Sequence, residues 1–296
     1  MGISTFRQAK QRLIDIVKLT KTKYGYDSTN GYTGTKDPLA NNLGIEVEER
    51  RLQFDFGIYL AAEPGARPKP VIWLDTSSAD QEHINFTYYH EISHHLIRQD
   101  NEIYEFLNDI AGQNDDFDSL IDRFANIGAA EFLIPSDDIF SIQQNQGFSI
   151  QLLPQLDECY PASKPAIAIQ LAQCAAHRCF VVVCQFGILP TKNESQPELL
   201  KSEITGERRL YVQYSSNSPS QEKYSIGKYS IIPENHLLYT AYKSQDYVSG
   251  NDHIPFKNGN KNWAVECEGL YYKGKVYGVF NLSKPNSPGS FQLSLF

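Results

Sequence analysis

The sequence predicts an α+β protein with more than one domain, on three observations. Its 296 residues exceed what a single hydrophobic core usually organises, 41% of them are hydrophobic, and near Arg178 the texture changes from helical to strand-like spacing. Taken in order, residues 4–24 place Phe6, Ala9, Leu13, Ile16 and Val17 at helical spacing, and TNGYTGTKDP then breaks the pattern. LGIEVEERRL and FDFGIYLA alternate apolar and polar residues as strands do. After the turn PGARPKP, VIWLD (71–75) reads as a short buried strand, and a Ser/Asp-rich cap leads into a helix from about Gln81 to Arg98. A further helix, about Asp118 to Leu133, carries Leu120, Ile121, Phe124, Ile127 and Gly128 on one face and ends before Pro135. Residues 138–178 read as helices with small turns. Beyond Arg178, CFVVVCQF, RRLYVQYSS, YSIGKYSII, WAVECEGLYY and KVYGVFNL read as strands, and PTKNESQPELLKSE as a surface excursion.

Composition narrows the classes. No run approaches the apolar length of an ordinary membrane-spanning helix, and the first twenty residues are amphipathic rather than the apolar block of a secretory signal. The residues after Met1-Gly2 lack the Ser/Thr placement expected for myristoylation. Five cysteines, an odd number thinly spread, suit a reducing compartment, so the expected location is cytoplasmic. There are 35 acids against 27 bases, a net charge of -8. Residues 101–150 hold ten acids and one base, Arg123, so the rest of the chain sums to +1. That window reads as a solvated helical face or as a rim attracting cations or a basic partner.

The chemistry concentrates in His90-Glu91-Ile92-Ser93-His94, an H-E-x-x-H pattern inside a predicted helix. Positions four apart lie roughly 40° apart around a helix, so both imidazoles can meet one metal ion. Glu91 sits one step round, placed to act as a base without ligating. Zn2+ suits two imidazoles and a carboxylate, with Mn2+ or iron as alternatives. The third ligand comes from the next helix. Asp122, which follows Leu120 and Ile121 and precedes Phe124, is the first candidate as a carboxylate in apolar surroundings, with Asp118 and Glu131 as the others. His95 points away from His94 and reads as a supporting or surface histidine.

FTYYHEISHHL, with VIWLD upstream and DRFANIGAAEFLIP downstream, resembles the ImmA/IrrE family of bacterial metallopeptidases, and the IrrE branch most closely. The elements that carry the resemblance are Phe86-Thr87, His90-Glu91, His94, Asp122, Ala125-Asn126, Gly128-Ala129-Ala130 and Pro135. YVQYSSNS…KYSIGKYSIIPENH and IPFKNGN extend it into the C-terminal region. The resemblance implies His90, His94 and Asp122 as metal ligands and Glu91 as catalytic base. Asp122 replaces the glutamate usual in the family; one methylene shorter, it needs a closer second helix or a bridging water. The resemblance also implies three parts: a thermolysin-like zincin peptidase domain over 1–135, a helix-turn-helix-like helical middle over 136–178, and a GAF-like α/β sensor domain over 179–296.

FSIQLLPQLDECYPASKPAIAIQLAQCA has the outline of a helix-turn-helix. The start of its second helix, Ser163-Lys164-Pro165-Ala166, offers few base-reading side chains, which argues against specific DNA binding and for packing or partner docking. Cys179 and Cys184, five apart on a strand, face opposite sides, so with Cys174 and His177 they read as core thiols rather than a second metal site. No Gly-rich nucleotide motif is present. Any signal bound by the C-terminal domain is implied by resemblance alone; that domain reads equally as structural or dimerising.

The function expected is therefore a metal-dependent endopeptidase in which Glu91 activates water. Tyr88, Tyr89 or a C-terminal-domain side chain is the expected oxyanion donor, and the sheet edge near VIWLD the expected place for a substrate strand. The resemblance implies as substrate an XRE-type (DdrO-like) helix-turn-helix repressor, whose cleavage derepresses stress or DNA-damage response genes. The alternative is a non-proteolytic zincin-shaped regulator that binds a partner or signal without cutting it. A transcription factor is a third reading, opposed by the acidic balance.

Overall fold

In the computed structural model the described residues are 2–77, 79–114, 117–190, 207–221, 224–256 and 263–282. The chain divides into two compact units, Met1–Asp138 with Leu156–Ser163, and Ile139–Gln155 with Lys164–Phe296.

In the first unit, α1 (Phe6–Tyr24) begins where the Thr5 hydroxyl accepts the Gln8 N–H at 3.2 Å and ends at Gly25 in the left-handed region. Its apolar stripe buries Ala9, Leu13 and Val17. The short α2 (Pro38–Asn42) is capped by Asp37. Three strands follow: β1 (Glu46–Glu49), β2 (Gly57–Leu60) and β3 (Val71–Leu74). Their order is β1-β3-β2, with β1 parallel and β2 antiparallel to β3. VIWLD is therefore the middle of the sheet, buried at Val71, Ile72 and Leu74, with an edge strand on either side of it. The antiparallel edge is β2.

The helix α3 (Gln81–Gln99) starts at Asp80, whose carboxylate accepts the His83 N–H at 2.9 Å. It is buried nearly all round, through Tyr88, Tyr89, Ile92, Leu96 and Ile97. The helices α4 (Asn101–Asn114) and α5 (Phe117–Leu133) complete the layer packed on it. Tyr88 and Tyr89, expected near the chemistry, are instead fully buried. The Tyr88 hydroxyl donates to Asp37 at 2.8 Å, and that of Tyr89 bonds to Tyr26, fastening the loop after α1 onto α3. A buried hydroxyl needs such a partner, and both rings are thereby structural.

At the crossing of α3 and α5, a Cβ on Gly128 would lie 2.8 Å from the Ser93 Cβ, so only glycine permits the approach. At the far end of α5, the buried Glu131 carboxylate accepts from the Ser136 N–H (3.2 Å) and hydroxyl (3.1 Å), which opens α6 (Ser136–Gln146). Of the described acids in the acidic window only Glu131 is buried; the others lie on exposed faces. Glu102 pairs with Arg12 at 3.2 Å and Asp137 with Lys18 at 2.7 Å, while Asp115 and Asp116 lie outside the described residues. The helix α7 (Leu153–Cys159) follows a 3-10 turn at Ile150–Leu152, and a four-residue turn, Tyr160–Ser163, separates it from α8 (Lys164–Gln173).

The second unit holds an antiparallel five-stranded sheet in the order β5-β4-β8-β7-β6. Its strands are β4 (Cys179–Ile188), β5 (Arg208–Asn217), β6 (Tyr247–His253), β7 (Ala264–Tyr272) and β8 (Lys275–Asn281). The helix α9 (Leu237–Ser244) packs on β6, β7 and β8, with Leu238 against Gly269 and Gly278, and its Leu238 and Ala241 join one core cluster with Phe180, Val182, Cys184, Leu210 and Val212. Cys179 and Cys184 are buried free thiols. Two expectations change here. YSIGKYSII is not a continuous strand: Tyr229 takes φ +67°, and the segment runs along β5 with backbone hydrogen bonds at Leu210 and Val212 and an isolated bridge, Tyr211–Ile231. In addition, α9 and the polar edge strand β6 carry no alternation that marks them in the sequence. The expected surface excursion lies, beyond Pro190, outside the described residues. No helix among the described residues is long and apolar enough to cross a membrane.

Gly128→Ala is expected to cost about 1–3 kcal/mol despite alanine's better helix propensity, because Ser93 must move. The denaturation midpoint measures this, and adding Ser93→Gly should recover most of it. Burial pushes Glu131 up to about 7, from an ordinary 4.5 in the unfolded chain. The folded state then holds a proton that the unfolded chain has lost, so this stability is full below about pH 4.5 and is lost as pH rises through 7. Glu131→Gln should flatten the fall in melting temperature between pH 5 and 8.

Candidate metal centre

Two helices each contribute one pair of side chains four residues apart. From α3 come His90 and His94; from α5 come Asp122 and Asn126. The two imidazole Nε2 atoms lie 3.0 Å apart. An Asp122 carboxylate oxygen lies 3.3 Å from His94 Nε2 and 3.9 Å from His90 Nε2. One ligand atom from each of the three falls within 4.8 Å of the others, the one such group of His, Cys, Asp or Glu among the described residues.

The chemistry of the set favours a cation. The Asn126 side-chain oxygen lies 2.9 Å from His90 Nδ1 and can only accept there, so His90 carries its proton on Nδ1 and turns a lone pair on Nε2 towards the trio. Burial lowers His90. Burial, then the neighbouring His90 and Arg98, pushes His94 down to about 3. Both rings are thus neutral, and the His90 Nε2 lone pair beside a second imidazole and a carboxylate suits a divalent ion with N and O ligands.

Of the sequence candidates, Asp122 joins the histidines, but not for the reason of burial: its side chain is 59% exposed. What places it is the close crossing at Gly128, which brings the shorter carboxylate within reach. Glu131 is held by Ser136, and Asp118 is absent from the group. His95 is buried, with Nδ1 3.0 Å from the Tyr59 hydroxyl. Asn126 has no role in the sequence pattern alone; its place four residues after Asp122, on the same side of α5, is the signal that finds it.

Glu91 is buried beside β2. Its carboxylate accepts the Tyr59 main-chain N–H, and a Cβ on Gly57 would sit 2.9 Å from its Oε1. Burial pushes Glu91 up to about 8, the Tyr59 N–H draws it back, and the charges of Asp122 and Asp55 raise it. An acid of that strength beside a three-ligand cluster has the proton affinity of a general base near neutral pH.

Residues 40–172 match the family described as the peptidase M78, IrrE N-terminal-like domain. The radiation response metalloprotease IrrE of Deinococcus deserti is 26% identical over 194 residues, which span 66% of this chain and 65% of that protein. Its namesake in Deinococcus radiodurans is 24% identical over 194 residues, 66% of this chain and 58% of that protein. The match therefore spans less than two thirds of either relative's own length. Among solved structures, a Mycobacterium tuberculosis transcriptional regulator superposes with a TM-score of 0.51 at 11% identity, covering 94% of this chain and 82% of that one, a likeness of fold.

Proposed function

We propose that this chain, with its peptidase M78 (IrrE N-terminal-like) domain at residues 40–172, is a metal-dependent endopeptidase. The observation that carries the reading is the convergence of His90, His94 and Asp122 beside the buried Glu91. The three residues hold a divalent cation, Zn2+ by ligand type, with Mn2+ as the alternative. Such a cation supplies Lewis-acid polarisation of a peptide carbonyl and acidifies water.

Around it, the chain's own groups do the rest. Asn126 fixes the His90 tautomer. The strand β2, hydrogen-bonded to β3 alone among the described strands, offers an extended peptide its other edge apart from the Tyr59 N–H, which Glu91 takes. Glu91 takes a proton from the attacking water on its carboxylate. As the new C–O bond forms and the C–N bond breaks, Glu91 passes that proton to the departing amine. A nearby cation lowers Glu91 from its cation-free value towards the range in which it is ionised at neutral pH.

The substrate we assign is an XRE-type (DdrO-like) helix-turn-helix repressor, and the consequence of its cleavage is derepression of stress or DNA-damage genes. This rests on the family resemblance and on the radiation-response relatives. The turn between α7 and α8 supports a helix-turn-helix-like middle used for packing, and the five-stranded sheet with α9 supports a GAF-like C-terminal part that receives a signal.

Glu91→Gln should retain the metal and lose cleavage of a co-incubated repressor by about 10²–10⁴-fold, followed by mass spectrometry. If the variant still derepresses target genes fully in cells, the protein acts by binding and the peptidase reading fails. Asn126→Ala should weaken divalent-metal affinity about 10–100-fold in competition with a chromogenic chelator, at unchanged melting temperature.

A further inference from the structure

A cavity of about 540 Å³ opens against the C-terminal half of α3. His95 and Arg98 of that helix line it, together with Tyr59 of β2 and Tyr104 of α4. Ala61 and Pro70 supply apolar wall. Two links tie the cavity to the metal centre. Tyr59 gives its main-chain N–H to Glu91 and sets its hydroxyl 3.0 Å from His95 Nδ1, so one residue borders both. Arg98 follows His94 by four residues, on the same side of α3. A peptide extended along β2 and presenting a bond to Glu91 therefore runs past the cavity mouth.

The charge of the lining is specific. Arg98 is its one fixed charge, and no carboxylate lines the cavity. The carboxylates closest to Arg98 in sequence are taken: Arg12 holds Asp100 at 2.8 Å and Glu102 at 3.2 Å. Among the described residues Arg98 has no carboxylate ion-pair partner; its guanidinium carbon lies 5.9 Å from the centroid of the Tyr104 ring, and its charge is felt at Tyr59 and His94. A planar guanidinium at the mouth of a partly apolar cavity is matched by a carboxylate on a short aliphatic stem. Resting on the peptidase reading above, we propose that this cavity is a specificity subsite for an acidic side chain, Asp or Glu, next to the bond that is cut, with Arg98 as the selecting residue.

The test uses the metal-loaded full chain and a randomised library of N-acetylated, C-amidated octapeptides, in which side chains are the only carboxylates. Cleavage by the unsubstituted chain, Arg98→Ala and Arg98→Glu is mapped by mass spectrometry. An acidic residue should be enriched about tenfold at one position beside the cut, lost in Arg98→Ala and replaced by Lys or Arg in Arg98→Glu. Identical preferences in all three overturn the proposal. A second readout needs no turnover: retention of the same peptides on immobilised Glu91→Gln protein. Glu-containing peptides should be retained about tenfold over their Gln twins, and adding Arg98→Ala should abolish the difference. Arg98-dependent retention without cutting by the unsubstituted chain keeps the subsite and defeats the peptidase reading. Equal retention of Glu and Gln twins defeats the subsite, cut or uncut.

Discussion

The close crossing of α3 and α5 is the constraint from which the first unit follows. With no side chain at Gly128, Ser93 and the backbone of α5 meet directly, and small neighbours at Ala125 and Ala129 are fully buried along the same face. At that separation His90 and His94 stand opposite Asp122 and Asn126, so each ring finds a partner from the other helix. A wider crossing would leave neutral imidazoles half-desolvated with nothing to bind, an arrangement that burial penalises. The aromatic side chains around the crossing keep it rigid: Tyr89 stacks on Phe132, and Tyr88 is tied to Asp37.

Much of this is legible in the sequence, for physical reasons. His90 and His94 can be read because a helix turns by a fixed angle, and the helix itself can be read because its cap, Asp80, and its apolar residues are local features. Asp122 was picked from an apolar setting and is instead exposed; periodicity places a residue around a helix but does not say how deep that face lies. Tyr88 and Tyr89 adjoin the motif in sequence and so invited a catalytic role, yet one helical step turns them into the core. Their true partners, Asp37 and Tyr26, sit more than fifty residues away and are set by tertiary packing alone.

The second unit was read less well where its residues depart from alternation. The strands β4, β7 and β8 carry buried, β-branched or aromatic residues and are plain. YSIGKYSII shows the same composition, but a left-handed Tyr229 and the following Pro233 prevent a continuous ladder. Edge strand β6, with Gly250, Asn251 and Asp252, is held in the sheet by β7 and has little intrinsic preference for it.

The three proposed ligands all stand on helices, while the strand offered to a peptide belongs to the sheet. The proposed recognition of a peptide draws on both β2 and Arg98 of α3, so it meets the proposed ion site on one helix, at Glu91, through the Tyr59 N–H and the bare backbone of Gly57. One turn of α3 separates His94 from Arg98, so a substitution at the one position bears on the geometry of the other.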